Sequence, residues 1–495
     1  MRARSIFSPL RWLSVFFLLA ALILTTFQLV RYSRIRADLP TGLTIAGVSV
    51  GGLDRQQAAQ RLLEAYSIPI EILYNDGIIH LSPAVVDFQL DLEGMLAAGG
   101  LQRTQQLFWE GFWDYLWGRQ ESPVEVPLRS SYSEPRLRSY LSDEIAKRYD
   151  KLAVAAKPAV GTVNFQPGSQ GNELDIDGSV LLIENAMHSL NRRQVVLPLV
   201  RTNPPRPAFQ NLGILLEQTI DLAGFDGVAD VYLMDLQTAQ ELHFAKSQGE
   251  NIPVEPDIAY TASSIIKIPI MLSVIRLLGE NIDPETQRLL SEMVTKSGNE
   301  TADWLMDRVI DPDRAPLMIS EDMRALGLQN TFLAGYFSLG SPLLERIETP
   351  ANQRSDINTD PDIYSQTTAS DIGMLLEDIY HCAQNGGGTL NAVFPGEFSQ
   401  TECQSMISLL VKNKLPSLLT AGIPEGTQIA HKHGWVSTNG IINTIGDAGL
   451  VYTPGGNYVL VVFLHHPDQL VWEPSSKLIA DLSRAVYNYY NIPEL

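Results

Sequence analysis

Ser264 and Lys267 stand three residues apart in "YTASSIIKIPIM" (260–271), ahead of and within a run of Ile, Pro and Met. On a helix that spacing puts both side chains on one face and within reach of each other. A serine hydroxyl is a weak nucleophile until a neighbour takes its proton, and a desolvated lysine with lowered pKa can do so. Ser264 would open the helix, where free backbone N–H groups and the helix dipole favour developing negative charge. Pro269, this far along, is expected to remove a backbone bond and kink the helix. Taken alone, the pair has a plainer explanation, a serine cap and a lysine whose head snorkels to solvent.

Two further groups follow in order. "MVTKSGNETADWLM" places Ser297, Gly298 and Asn299 just before an amphipathic helix, and "AHKHGWV" places Lys432, His433, Gly434 and Trp435 on a strand. S-x-x-K, then S-x-N, then K-x-G ahead of C-terminal strands is the three-part signature of active-site serine penicillin-recognising enzymes. Residues 211–495 resemble the class A β-lactamase-related serine hydrolases, whose relatives include the D-alanyl-D-alanine peptidases. The likeness is carried by "SSIIKIPIM", "SGNETADWLM", "QTTASDIGMLLEDIY" and "HKHGW...GDAGLVYTPGGNYVLVV".

The resemblance implies Ser264 as the acylated nucleophile and Lys267 as its proton partner. Ser297 would relay a proton to the leaving nitrogen, and Asn299 would bind the substrate amide. Lys432 would hold the substrate carboxylate and steady Ser297, with His433, Gly434 and Trp435 completing the substrate-binding strand. The N–H groups of Ser264 and Trp435 would form the oxyanion hole. No cofactor and no metal is implied.

Three departures from the family pattern stand out. Gly298 occupies a place where aspartate is usual, which loosens a structural hydrogen bond more than the chemistry. His433 replaces a small hydroxyl, so an imidazole would grip the substrate carboxylate only in the right tautomer or charge state. The 33-residue gap from Ser264 to Ser297 is short for the class.

A fourth element separates hydrolysing a β-lactam from being trapped by it. The resemblance assigns that work to a glutamate that activates the deacylating water, and "RIETPAN" (346–352) offers Arg346, Glu348 and Asn352 at the family's Arg-x-Glu-x-x-x-Asn spacing. Glu348 is read as that base or as a solvated surface acid, with Asp356, Asp360 and Asp362 as further acids for the same task. The segment 349–366 is longer than the family loop, and no aspartate partner for the arginine is evident.

The implied activity is hydrolysis of β-lactam amides through a Ser264 acyl-enzyme. A D-Ala-D-Ala carboxypeptidase or transpeptidase acting on peptidoglycan, or a non-catalytic wall-binding sensor, are the alternatives. Among the histidines, His431 and His433 alternate onto one face of a strand and His465-His466 lies elsewhere, without metal-ligand spacing.

The elements that must position these residues follow from the rest of the chain. With 495 residues and an apolar fraction of 45%, two or three units are expected. A net charge of −20, with no basic run beyond the N-terminus, excludes the electrostatic footprint of a nucleic-acid binder. Trp12–Val30 is a 19-residue uncharged stretch flanked by Arg2, Arg4 and Arg11 before and Arg31, Arg34 and Arg36 after. It is long enough to span a bilayer. It reads as an uncleaved anchor rather than a signal peptide, with the N-terminus cytoplasmic and the body outside the membrane; residues 1–36 form tail and anchor. Cys382 and Cys403 in an exported domain suggest a disulfide, two buried thiols being the other reading.

From Leu43 a short strand, a Gly-Gly turn and a helix capped by Asp54 are expected. "QLDLEGMLAA" and, 84 residues later, "ELDIDGSVLL" share one plan, an extended Leu-Asp leading through an acid and Gly into a helix. Residues 37–205 resemble the peptidoglycan-binding domain that accompanies vancomycin-resistance W-type proteins, which implies an α+β domain of two related subdomains. Between them "LFWEGFWDYLW" (107–117) reads as buried helix core, with a carbohydrate-stacking or membrane-adjacent surface as the alternative. The prolines of 201–210 mark a linker. Residues 206–495 then read as an α/β (α+β) domain of β-lactamase or transpeptidase type, an antiparallel sheet flanked by terminal helices with a helical lobe between them.

Overall fold

The computed structural model describes residues 8–105, 107–119, 124–279, 282–413, 415–438 and 440–492. Arg2 and Arg4 lie outside them. The chain divides into two compact units, 1–153 with 170–203, and 154–169 with 204–495. The excursion 154–169 falls inside the stretch 37–205 in sequence, yet it packs with the second unit, where Phe165 meets Tyr489 and Asn488 Nδ2 donates to the Val163 carbonyl.

In the first unit, helix α1 (Ser8–Ile35) contains one segment, Trp12–Ile35, long and apolar enough to cross a membrane. Helix α2 (Arg55–Tyr66) begins at Asp54, whose carboxylate accepts from the Gln57 N–H and so satisfies one of the free donors of the first turn. The two Leu-Asp stretches are capped alike. Asp91 accepts from the Gly94 N–H at 2.9 Å and Asp175 from the Gly178 N–H at 3.0 Å. A Cβ on Gly94 or Gly178 would lie 2.1 or 2.6 Å from the capping carboxylate, so the glycine in each repeat leaves room for its own cap. One core is built where strands β1 (Ile70–Tyr74) and β2 (Gly77–Leu81) pair antiparallel and β3 (Gln194–Val196) runs parallel to β1. Helix α4 (Ile176–Met187) covers it with Val180, Ile183 and Met187.

The aromatic stretch departs from the core reading. Helix α3 (Phe108–Leu116) buries Phe112 at 3% exposure, but Trp109, Trp113 and Trp117 are 62%, 58% and 74% exposed. Helical spacing explains the split, since residues four apart share a face and only the Phe face meets protein.

The second unit is a six-stranded antiparallel sheet in the order β6-β5-β4-β9-β8-β7. Its strands are β4 (Val228–Asp235), β5 (Glu241–Ser247), β6 (Glu250–Ile252), β7 (Gln428–Thr438), β8 (Ile441–Tyr452) and β9 (Tyr458–His465). Helices α5 (Phe209–Ala223) and α10 (Trp472–Tyr490) cover one face, burying Leu212, Leu216, Leu482 and Val486. Between β6 and β7 the chain forms a helical lobe on the other face, whose core joins Ile268, Leu272, Ile372, Leu376 and Phe463. This is the antiparallel sheet, terminal helices and helical lobe expected from the sequence.

Cys382 on α8 (Ala369–Asn385) and Cys403 on α9 (Gln400–Val411) are bonded as a disulfide within that lobe, their Cα atoms 5.8 Å apart. Because the bond closes a 21-residue loop, Cys382→Ala/Cys403→Ala is expected to lose about 3 kcal/mol in urea unfolding.

Candidate active site

The turn that carries Ser264 is built by a change of helix type. Ser263–Ile266 is a single 3₁₀ turn, and the α-helix α6 (Lys267–Leu278) starts only at Lys267. Pro269 therefore falls in the first turn of α6, where its missing N–H would have had no helical partner, and the helix runs on unbroken to Leu278. Two serines beside the site hold left-handed backbone, Ser263 with φ +51° and Ser297 with φ +59°, a conformation costly for residues with a Cβ and concentrated at functional sites.

Lys267 is fully buried. Its Nζ lies 2.9 Å from Ser264 Oγ, 2.8 Å from Asn299 Oδ1 and 3.1 Å from the Ser297 carbonyl oxygen. A neutral amine carries two hydrogens and one lone pair; the two oxygens that only accept take the hydrogens, and the lone pair is left for the Ser264 O–H. Burial, with Lys432 nearby, lowers the Lys267 pKa to about 7, against a smaller opposing pull from Asp303. Among the described residues Lys267 has no ion-pair partner, and the Phe337 ring sits 5.0 Å from its Nζ.

Lys432, on β7, donates from Nζ to Ser297 Oγ at 2.9 Å. Burial lowers its pKa to about 8, so it carries its charge at neutral pH. Ser297 Oγ thus accepts from one lysine while its own hydrogen stays available. β7 is the edge strand of the sheet, and at Gly434 it runs directly against the 3₁₀ turn, where a Cβ would lie 2.7 Å from the Ser264 nitrogen. Trp435 follows, half-exposed and stacked on His433 with ring centroids 5.5 Å apart.

His433 is placed differently from the hydroxyl it replaces. Burial pushes its pKa down to about 4, so the ring is neutral. Asn413 Nδ2 is 3.1 Å from the His431 carbonyl oxygen, which orients the amide, and 3.2 Å from His433 Nδ1. Nδ1 must then be the acceptor and Nε2 the N–H, the only donor the ring can offer a ligand. His431, His433 and Asp447 bring one ligand atom each within 4.8 Å of one another. His431 Nδ1 is already bonded to Asp447 at 2.9 Å, and His433 Nδ1 to Asn413, so the cluster is satisfied as a hydrogen-bonded strand pair.

Residues 278–490 match the β-lactamase enzyme family. Ser297, Asn299 and the Lys432–Trp435 strand lie inside the matched stretch, while Ser264 and Lys267 precede it. No curated protein matches the chain. Solved structures similar to this β-lactamase-like unit include one of PBP-A, 20% identical with TM-score 0.41, covering 59% of this chain and 99% of that one. The TLA-1 extended-spectrum β-lactamase is 18% identical with TM-score 0.42, covering 57% and 99%. A class A β-lactamase from Bacteroides cellulosilyticus DSM 14838 is 17% identical with TM-score 0.41, covering 58% and 100%.

Not every expected residue joins the cluster around Lys267. Glu348 and Arg346 are exposed, and so are Asp356, Asp360 and Asp362. The segment is pinned instead by Asn352, whose Nδ2 donates to the Ile347 carbonyl and to Gln366 Oε1, and by Arg354. Arg354 donates to the carbonyls of Pro253 and Pro256 and pairs with Asp356, whose carboxyl that pairing lowers to about 2. Arg354, not Arg346, is the arginine of this segment that has an acid partner among the described residues. Gly298 is compensated locally: Thr301 Oγ1 donates to its carbonyl at 2.9 Å and fills the space a Cβ would take.

Asp303, Phe337 and Asn413 went unnoticed in the sequence. Asp303 accepts from the N–H groups of Phe337 and Ser338, each at 2.8 Å, and so holds Phe337 over Lys267. Its signal is an acid four residues after Asn299, on the same face of helix α7 (Asn299–Leu305). Phe337 carries no such signal.

Proposed function

We propose that this chain is a serine acyl-transfer enzyme of the penicillin-recognising type, acylated at Ser264 by β-lactams and by the D-Ala-D-Ala ends of wall peptides, with slow release of the acyl group. The observation that carries this is the buried Lys267 Nζ within hydrogen-bond distance of Ser264 Oγ, Asn299 Oδ1 and the Ser297 carbonyl, an arrangement that leaves a neutral amine its lone pair for Ser264.

Ser264 Oγ forms a bond to the amide carbon as its proton passes to Lys267 Nζ. The oxyanion is received by the N–H groups of Ser264 and Trp435. When the C–N bond breaks, the nitrogen takes the Ser297 hydroxyl proton while Lys432 Nζ, bonded to Ser297 Oγ, passes one of its own to that oxygen; Lys432 is recharged from solvent as Lys267 gives up the proton it took from Ser264. Asn299 Nδ2 and the Lys432 charge bind the substrate amide and carboxylate. Slow deacylation is supported by Glu348, Asp356, Asp360 and Asp362 all being exposed, and by the lack of any carboxylate bonded to Lys267 or Ser264 among the described residues. The Arg346-x-Glu348-x-x-x-Asn352 spacing favours a second reading, a true β-lactamase with Glu348 as water-activating base. In the same proposal, α1 anchors the chain in the cell membrane with its body outside, and residues 37–205 dock on peptidoglycan.

Intact-mass spectrometry after mixing with a penicillin tests this. The expected result is one adduct that persists and is absent in Ser264→Ala. An adduct that decays with release of hydrolysed drug moves the assignment to β-lactamase, and an adduct on Ser264→Ala refutes the nucleophile. A chain with no adduct at all is a wall-binding protein without this chemistry.

A further inference from the structure

We infer that helix α3 is a membrane-interface helix, lying in the headgroup layer of the bilayer that α1 spans; the inference rests on the anchor reading above. Helix α3 packs on α1 at one height. Tyr32 contacts Phe108, Phe112 and Tyr115 with ring centroids 5.5, 5.6 and 5.3 Å apart. Tyr115 donates its hydroxyl to Gln28 Oε1 at 3.2 Å, and the Arg36 guanidinium lies 5.0 Å from the Phe108 ring. Gln28 and Tyr32 are successive positions on one face of α1, about 6 Å apart along its axis, and Arg36 follows in the turn that ends the helix. That window begins at the last turn of the apolar span and continues past Val30, where a spanning helix leaves the hydrocarbon.

The face of α3 turned away from α1 is the one that needs a partner. Trp109, Trp113 and, just past its end, Trp117 recur every fourth residue, all exposed, with Leu116 beside them. Tryptophan is the side chain most at home between headgroups and acyl chains, because its ring is apolar and its N–H needs a wet acceptor. Arg31 and Arg34, exposed on α1 at the same level, face the phosphate layer. The occupant is thus the bilayer itself, argued from the continuity of this stripe with the end of the spanning helix. A helix rigidly joined to the anchor at its interface would fix the tilt and height at which the first unit leaves the membrane.

The test uses the full-length chain reconstituted into phosphatidylcholine–phosphatidylglycerol vesicles, with Trp12→Phe removing the indole in the anchor. Of the seven tryptophans six then remain, three of them on or beside α3. Lipids brominated near the top of the acyl chains are expected to quench about half of the emission. The Trp109→Ser/Trp113→Ser/Trp117→Ser chain is expected to lose that quenching, while its thermal unfolding and its labelling by a fluorescent penicillin stay unchanged. Emission that does not distinguish brominated from plain lipid, in a chain that resists alkaline carbonate extraction, overturns the interface helix and leaves the anchor standing. Loss of the chain to the carbonate wash overturns the anchor and the inference with it. Unquenched indoles that respond to soluble peptidoglycan fragments overturn it in favour of glycan stacking.

Discussion

Lys267→Met is expected to slow acylation by penicillin about 10³-fold or more, the size expected when a general base is lost from a serine nucleophile. Met keeps the volume of the buried stem and removes only the amine, so the helix should pack as before. The wild-type pH profile gives an independent readout. Acylation should rise with pH through about 7, as Lys267 loses its proton, and fall above about 8, as Lys432 loses the charge that steadies Ser297. The Met variant should lack the acid limb. Stability supplies a further check. Lys267 is lowered from 10.5 to about 7 in the fold, so between those values the unfolded chain binds more protons and wild-type stability gains from this group as pH rises. Below the folded value the charged, buried lysine costs stability in full, and the Met variant escapes that cost. Stopped-flow labelling and urea unfolding across pH 6–10 measure both. A variant acylated at the wild-type rate, with the acid limb intact, would remove Lys267 from the chemistry.

What the sequence made visible is what local pattern encodes. The strand runs 228–235, 444–451 and 458–465 are mostly apolar because they are buried on both faces, and the sheet was legible from them. The S-x-x-K, S-x-N and K-x-G groups were legible because each is a short, fixed spacing. The loop ahead of α8 was not, because its closure depends on contacts about 100 residues apart, such as Arg354 with Pro253 and Pro256. The eye is drawn to Arg346 and Glu348 by spacing alone, while the fold uses Arg354 and Asp356. Phe337 likewise reaches Lys267 only through Asp303, a tertiary contact without a sequence period. The tryptophan stripe was read as core for a related reason: a 109/113/117 repeat says that one face is apolar, but not whether the rest of the protein covers it.

The close approach at Gly434 supports the second large effect, because it is where the two halves of the proposed oxyanion hole meet. A methyl group at 434 would sit 2.7 Å from the Ser264 nitrogen, 2.8 Å from Ser263 Cβ and 3.3 Å from the Ile265 nitrogen. Two of these atoms are backbone of the turn that carries Ser264, so no side-chain rotation relieves the clash. Its register partner on β8, Gly446, is equally bare and faces the Phe463 ring and Ile265 Cδ1, so the sheet cannot retreat freely from the turn. Either β7 or the turn must shift by several tenths of an ångström. The distance between the Ser264 and Trp435 N–H groups, and the reach of Lys432 to Ser297, both depend on that spacing. Gly434→Ala is therefore expected to lower the acylation rate about 10²-fold, the scale of a small misplacement at an oxyanion site. Binding of the uncleaved substrate should suffer less, since the Lys432 charge and the Asn299 amide remain. Stopped-flow labelling with a fluorescent penicillin over a range of concentrations separates the two constants. A Gly434→Ala protein that acylates within about threefold of wild type would show that the hole is not assembled between this strand and this turn.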